Sequence, residues 1–194
     1  MNTRNRSLFL SIAIAVLTVP ILNATPAPGA YWKWRGEIDQ VLVNQTFRAD
    51  DYRGIEMAAL DVSDAKVPVR GGESQSAVLD FLPSLKPAFM SGLQKTLQRD
   101  APDSKTGGDL LLVRMRVTKA DPGTRIPQFW NMKDSAARLA VTGEVIDPAT
   151  NQTLLAFRQE RWVGMMETGQ SSEELLKRVA QMIGADLARL ISSS

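Results

Sequence analysis

The chain has 194 residues, 44% hydrophobic and 23% charged, with no cysteine and no histidine. That length holds one domain of ordinary globular composition, and the missing residue types exclude disulfides, Ser-His-Asp and Cys-His catalysis, and His/Cys zinc or copper sites. The formal charge of +2 comes from Arg4 and Arg6 at the N-terminus; beyond residue 24 there are 21 basic and 21 acidic residues, so the sequence pI near 9.0 is no sign of nucleic-acid binding.

The chain opens with a basic stretch (Arg4, Arg6), an apolar run over 8–22 and then small residues. This is the pattern of a secretory signal peptide over 1–24, with cleavage after Ala24, Ala27 or Ala30. The apolar run is shorter than the ~20 residues that span a bilayer. An uncleaved inner-membrane anchor is the alternative, and the only membrane contact expected. Residues 25–50 read as a lead-in rich in Pro, Ala and Gly, although EIDQVLVNQTF within them has the look of a short strand or edge segment. A single α+β domain is expected over 51–194.

That domain begins with a strand in YRGIEMAALDVS, followed by a loop with Pro68, Gly71 and Gly72. Leu82, Leu85, Phe89, Leu93 and Leu97 then form one helical stripe. Pro83 and Pro87 set the start of the solid helix near Ser84. DLLLVRMRVTK alternates apolar Leu111, Val113, Met115 and Val117 with Leu112, Arg114, Arg116 and Thr118, the period of a half-buried strand. SAARLAVTGEVID and TLLAFRQERWVG repeat that logic around the turn PATNQ and predict an antiparallel hairpin. The last element is an amphipathic helix opened by a Ser171/Glu174 capping box, with Glu173, Lys177, Arg178, Asp186 and Arg189 mostly opposite its apolar face. The order β-α-β-β-β-α implies a two-layer sandwich: a largely antiparallel sheet with two amphipathic helices on one face.

The connection after the first alternating strand is the unusual one. Asp121, Pro122 and Gly123 stop that strand, and the next starts near Ala136. Hairpins need two to five residues, so a turn does not account for this length or for Phe129 and Trp130 within it. Its far half, with Arg125 and the lead-in tryptophans Trp32 and Trp34, is the candidate contact surface for an envelope partner protein.

Taken together, LLLxxxRVTxADPGTR, VxDPATNQTLLAF and the closing SxEELLxxVAxxIGxDLxxxI helix resemble a family of small bacterial envelope proteins of unknown function, many of them lipoproteins. The resemblance covers roughly 52–192. It implies a fold akin to the amino-terminal domain of the TolB protein and to the curli-secretion lipoprotein, and brings no catalytic residues. This chain departs from many members in lacking the lipid-bearing cysteine, which removes lipid anchoring from what the resemblance implies.

Other chemistry is weighed against plainer readings. Glu144 and Glu160 could form a hydrolytic carboxylate pair or a charged ladder with Arg138 and Arg158, and the ladder fits strand alternation. Asp50/Asp51 and Asp61/Asp64 lack calcium-loop spacing. Met132, Met165 and Met166 near Trp130 and Trp162 are irregularly spaced for soft-metal binding and read as packing residues. The expectation is a non-enzymatic periplasmic module without cofactors that binds or helps assemble another envelope component. A carboxylate-dependent hydrolase or a carrier with a pocket between the layers is the alternative; oligomeric state is left open. Intact-mass analysis of the exported protein should find a chain starting after residue 24, 27 or 30; retention of residues 1–24 would identify an anchor.

Overall fold

The computed structural model describes residues 38–44, 47–68, 74–100, 109–123, 136–164 and 170–194. Strands β1 (Gln40–Val43), β2 (Tyr52–Met57), β3 (Asp109–Asp121), β4 (Ala137–Asp147) and β5 (Gln152–Val163) form one sheet in the order β1-β5-β4-β3-β2. Every neighbouring pair is antiparallel except β2 with β3. That parallel pair is joined by helices α1 (Gln75–Phe81) and α2 (Lys86–Asp100), as a parallel connection requires. A third helix, α3 (Ser172–Ser192), closes the chain. The result is the expected α+β two-layer sandwich, with one strand more than the expected order: Gln40–Val43 pairs with the outer edge of β5.

The β4–β5 hairpin follows directly from its turn residues. The Asp147 carboxylate accepts from Ala149 N–H (2.9 Å) and Thr150 Oγ1 (2.8 Å), and Asn151 takes φ 55°. Asn is among the few non-glycine residues that enter this left-handed region at low cost. Those bonds hold the exposed Asp147 carboxyl below its ordinary pKa, with Thr150 the largest cause. At the other end of β3, Asp121 Oδ1 accepts from Gly123 N–H (3.0 Å) and Gly123 has φ 80°, so the strand stops where the triplet indicates.

The helical stripe extends further N-terminally than expected. Ser74 Oγ caps α1 by accepting from Ala77 N–H (3.1 Å), and a 3-10 turn, Leu82–Leu85, links α1 to α2. Proline lacks an N–H and crowds the carbonyl four residues back, so the chain tightens at Pro83 instead of holding one regular helix. The stripe survives: Leu82, Leu85, Phe89 and Leu93 are fully buried, with Leu97 packed against the core edge. They meet Leu111, Val113 and Val117 of β3, Leu139, Val141 and Val145 of β4, Leu155 and Phe157 of β5, and the apolar face of α3 in one core. The α3 capping box is present, with Ser171 Oγ accepting from Glu174 N–H and Glu174 accepting from Ser171 N–H.

Two glycines set the spacing of the helix layer. A Cβ on Gly92 would lie 2.0 Å from Gln181 O, and one on Gly184 would lie 2.1 Å from Phe89 O. α2 and α3 therefore cross backbone against backbone, at a separation that no side chain at either position would permit.

Between β1 and β2 the chain crosses from one edge of the sheet to the other, four strand spacings or ~19 Å. Phe47 lies on this crossing, 2% exposed, its ring 6.2 Å from that of Tyr52. It plugs the end of the sandwich next to the hairpin turn. Burial first, and then the charges of Asp147, Asp51 and Asp109, raise the Tyr52 pKa.

Gly92→Ala and Gly184→Ala should each cost about 3 kcal/mol, the upper end of ordinary overpacking, because the obstruction is backbone. Gly164→Ala, where the nearest atom is a Trp162 ring carbon at 4.0 Å, is the near-neutral control. Urea midpoints read the comparison; equal midpoints for all three would refute the close crossing.

Candidate interaction surface

The face of the sheet away from the helices follows from strand alternation. β3 turns out Arg114 and Arg116, β4 turns out Arg138, Thr142 and Glu144, and β5 turns out Arg158, Glu160 and Trp162. The register sets them in rows: Arg114 opposite Glu144, Thr142 between Arg116 and Arg158, Ala140 between Lys119 and Glu160, and Arg138 between Asp121 and Trp162.

Glu144 and Glu160 do not converge. Glu160 pairs with Ala140, four residues along β4 from Glu144, which is ~13 Å at the strand rise. Carboxylates of glycosidases stand no more than about 9.5 Å apart. Glu160 lies 3.7 Å from Lys119 Nζ. The expected ladder with Arg138 and Arg158 thus takes Lys119 as Glu160's ion-pair partner, because a register shift between Val117 and Lys119 turns the lysine toward it.

Asp61 and Asp64 serve an arginine. The segment after β2 runs on beside β3, with Asp61 N–H on Met115 O (3.0 Å) and Lys66 N–H on Thr118 O (3.1 Å). Arg116 donates through Nε to Asp61 (2.7 Å) and through Nη1 to Asp64 (3.0 Å). Asp61 also accepts from Ser63 Oγ (2.7 Å) and Ser63 N–H (3.0 Å). The Ser63 bonds chiefly, and then Arg116, hold the Asp61 carboxyl below its usual range. Asp50 and Asp51 lie in the short 3-10 turn Ala49–Asp51. Among the described residues no three Asp, Glu, His or Cys are placed to hold a metal ion.

The sequence places Asp186 on the polar side of α3, but the structure buries it: its side chain is 4% exposed and accepts from Arg161 Nε (2.8 Å), Gln159 Nε2 (2.6 Å) and Arg189 Nη1 (2.8 Å). Gln159 and Arg161 sit on the inward parity of β5, opposite Val141 and Leu139. A buried carboxylate is tolerable only with such partners, and the cluster fastens α3 to β5. The pairing of Arg161 on β5 with Asp186 on α3 is not to be read from either element alone. Among the described residues the core fills the space between the layers, and a depression lined by Pro87, Met90, Gln94 and Lys95 opens on the outer side of α2.

Trp162 is the most exposed large apolar side chain among the described residues, at 55%. It stands at the end of the outward face where β3 stops and β4 starts. The candidate contacts Arg125, Phe129 and Trp130, together with Trp32 and Trp34, lie outside the described residues, as do Met132, Met165 and Met166.

No family model and no curated protein matches the chain. Solved structures are similar at low identity. A PelC dodecamer subunit from Paraburkholderia phytofirmans superposes with a TM-score of 0.39 and 9% identity, over 75% of this chain and 94% of that one. A DUF330 protein from Xanthomonas campestris gives 0.43 and 10%, over 78% and 91%. A minor lipoprotein from Acinetobacter baumannii gives 0.34 and 17%, over 73% and 94%. Lipoproteins thus stand among the structures this chain is similar to. No helix among the described residues is long and apolar enough to cross a membrane.

The lowered Asp61 pKa fixes a sign. Its stabilising contribution is present above the unfolded value, about 3.9, and is lost as pH falls through the lower folded value. Asp61→Asn should therefore flatten the loss of stability below about pH 4. Urea midpoints measured from pH 2 to 7 test this, and an unchanged acid limb would contradict it.

Proposed function

We propose that the protein is an exported, non-enzymatic module of the bacterial periplasm that binds, or helps assemble, another envelope component. The observation that carries this reading is Trp162, more than half exposed on an otherwise charged strand face. It stands at the end from which the connection over 124–135 departs, with Phe129 and Trp130 inside that connection. Tryptophan and arginine are the residues most enriched at binding hot spots, and both converge on this end through Arg138 and Trp162. The dispersed carboxylates, one of them beside Lys119 and two on Arg116, favour binding over hydrolysis. The signal-like N-terminus supports the periplasmic address, and kinship with the TolB amino-terminal and curli-secretion lipoprotein domains is part of the same reading.

A photo-crosslinking residue at position 125, in intact cells, should capture one defined envelope component. Phe129→Ala with Trp130→Ala should cut capture by tenfold or more, since hot-spot truncations cost about 2 kcal/mol or above, while circular dichroism and the urea midpoint stay unchanged. Undiminished capture by the variant, or no capture by the unaltered chain, would sink the reading. Collapse of the fold would assign the pair to the core.

A further inference from the structure

Two large apolar side chains stand exposed among the described residues, Trp162 at 55% and Leu110 at 36%. Both belong to the outward face of the sheet, at opposite ends. Leu110 shares its parity with Arg114 and Arg116 and lies beside Gly54 of β2. Trp162 is level with Arg138 and Asp121, so the two side chains stand two strands apart across the sheet and ~35 Å apart along it. Charge divides the same way. Lys66 lies beside Lys119 in the register, and Arg138 and Arg158 occupy the neighbouring rows. Against these cations stand Glu160, already on Lys119, and the buried Asp121. Around Leu110 the sign is reversed. Asp109 precedes it, Glu56 stands beside Leu112, and the charges of Asp147, Asp51 and Asp109 together act on Tyr52. These acids outnumber the neighbouring Arg53.

We propose that two copies of the chain pack outward face on outward face about a two-fold axis, with Trp162 of each against the partner's Leu110. A two-fold contact is self-complementary. A face that is basic and aromatic at one end, acidic and aliphatic at the other, matches itself when reversed. The axis that exchanges Trp162 and Leu110 runs close to Thr142, midway between them. It sets the strands of the two sheets antiparallel and about 30° apart, the angle at which twisted sheets pack face to face. Applied to the strand register, the same rotation brings Arg158 over the partner's Glu144 and Arg138 over the partner's Glu56. Arg158 and Glu144 make no ion pair within their own chain among the described residues. Five strands at the ordinary spacing give this face roughly 800 Å² per copy, the size of one side of a standard interface. The pairing does not rest on the partner reading, and a component that binds at Trp162 competes with it.

Sedimentation equilibrium of the exported chain at micromolar concentration should find a dimer that weakens as salt rises. Trp162→Ala and Leu110→Ala should each weaken it about tenfold or more. Arg158→Glu and Glu144→Arg should each yield monomers by setting like charges face to face, with circular dichroism and the urea midpoint unchanged. Mixing those two variants should restore a dimer holding one copy of each, since every reversed charge then meets its opposite. A monomer at every concentration, a dimer indifferent to either reversal, or no recovery in the mixture would overturn the pairing. So would assemblies that grow beyond two copies, which mark a head-to-tail contact, or a monomer that instead binds phosphatidylglycerol vesicles. Partner capture from position 125 is read separately, so either reading can fail alone.

Discussion

The close crossing of α2 and α3 is the constraint on which the other contacts depend. A β-sheet with one charged face must bury the other, and a five-stranded sheet is wider than one helix. Two helices cover it only if they lie side by side without a wedge between them. Gly92 against Gln181 and Gly184 against Phe89 remove that wedge. The residues flanking these contacts, Phe89, Leu93, Ala180 and Ile183, can then point down onto the sheet instead of filling the space between helices. On the sheet side a reciprocal adjustment occurs at Gly143, where a Cβ would meet the Phe157 ring at 2.5 Å, so the ring lies over the neighbouring strand.

The two edges of the sheet are handled differently. On the β3 side, the segment following β2 covers the edge without forming a regular strand, held by backbone bonds to Met115, Val117 and Ala120 and by the Arg116 fork. Leu60 and Val67 of that segment are buried, so it belongs to the core. On the β5 side the cover is four residues long and ends in a carboxylate, Asp39, that substitutes for a peptide group. An acidic side chain at such a place discourages a foreign strand from continuing the ladder.

Much of the fold was legible because its signals are local. The period of two in β3, β4 and β5 needs only neighbouring residues, as do the Asp147 and Asn151 turn and the Ser171/Glu174 cap. What was not legible depends on partners far away in sequence. Asp186 reads as an outward charge on any helical wheel, and only the arrival of Arg161 and Gln159 from β5 makes its burial affordable. Asp61 and Asp64 read as free loop acids until β3 brings Arg116 to them. β1 is too short to carry a period of its own. Of the proposed surface, the Asp121 stop marks in the sequence the strand end from which the connection over 124–135 departs. Trp162 has no distinction there, because exposure at a strand end is a property of the assembled sheet. Nothing in the sequence marked Gly92 and Gly184 among the other glycines.

The strand order also says when the sheet can be finished. The β4–β5 hairpin joins neighbours in sequence and closes over a short turn, so it can form as soon as both strands exist. Among the described residues β1 is the first strand made and β5 the last, yet they are partners. During synthesis β1 must wait, unpaired, for nearly all of the chain to follow it. Val41, whose side chain ends up 5% exposed, spends that interval in water or in the care of something else. A product truncated before β5 would lack both β1's partner and the central hairpin, so this topology makes the nearly complete chain the smallest piece that can close its sheet.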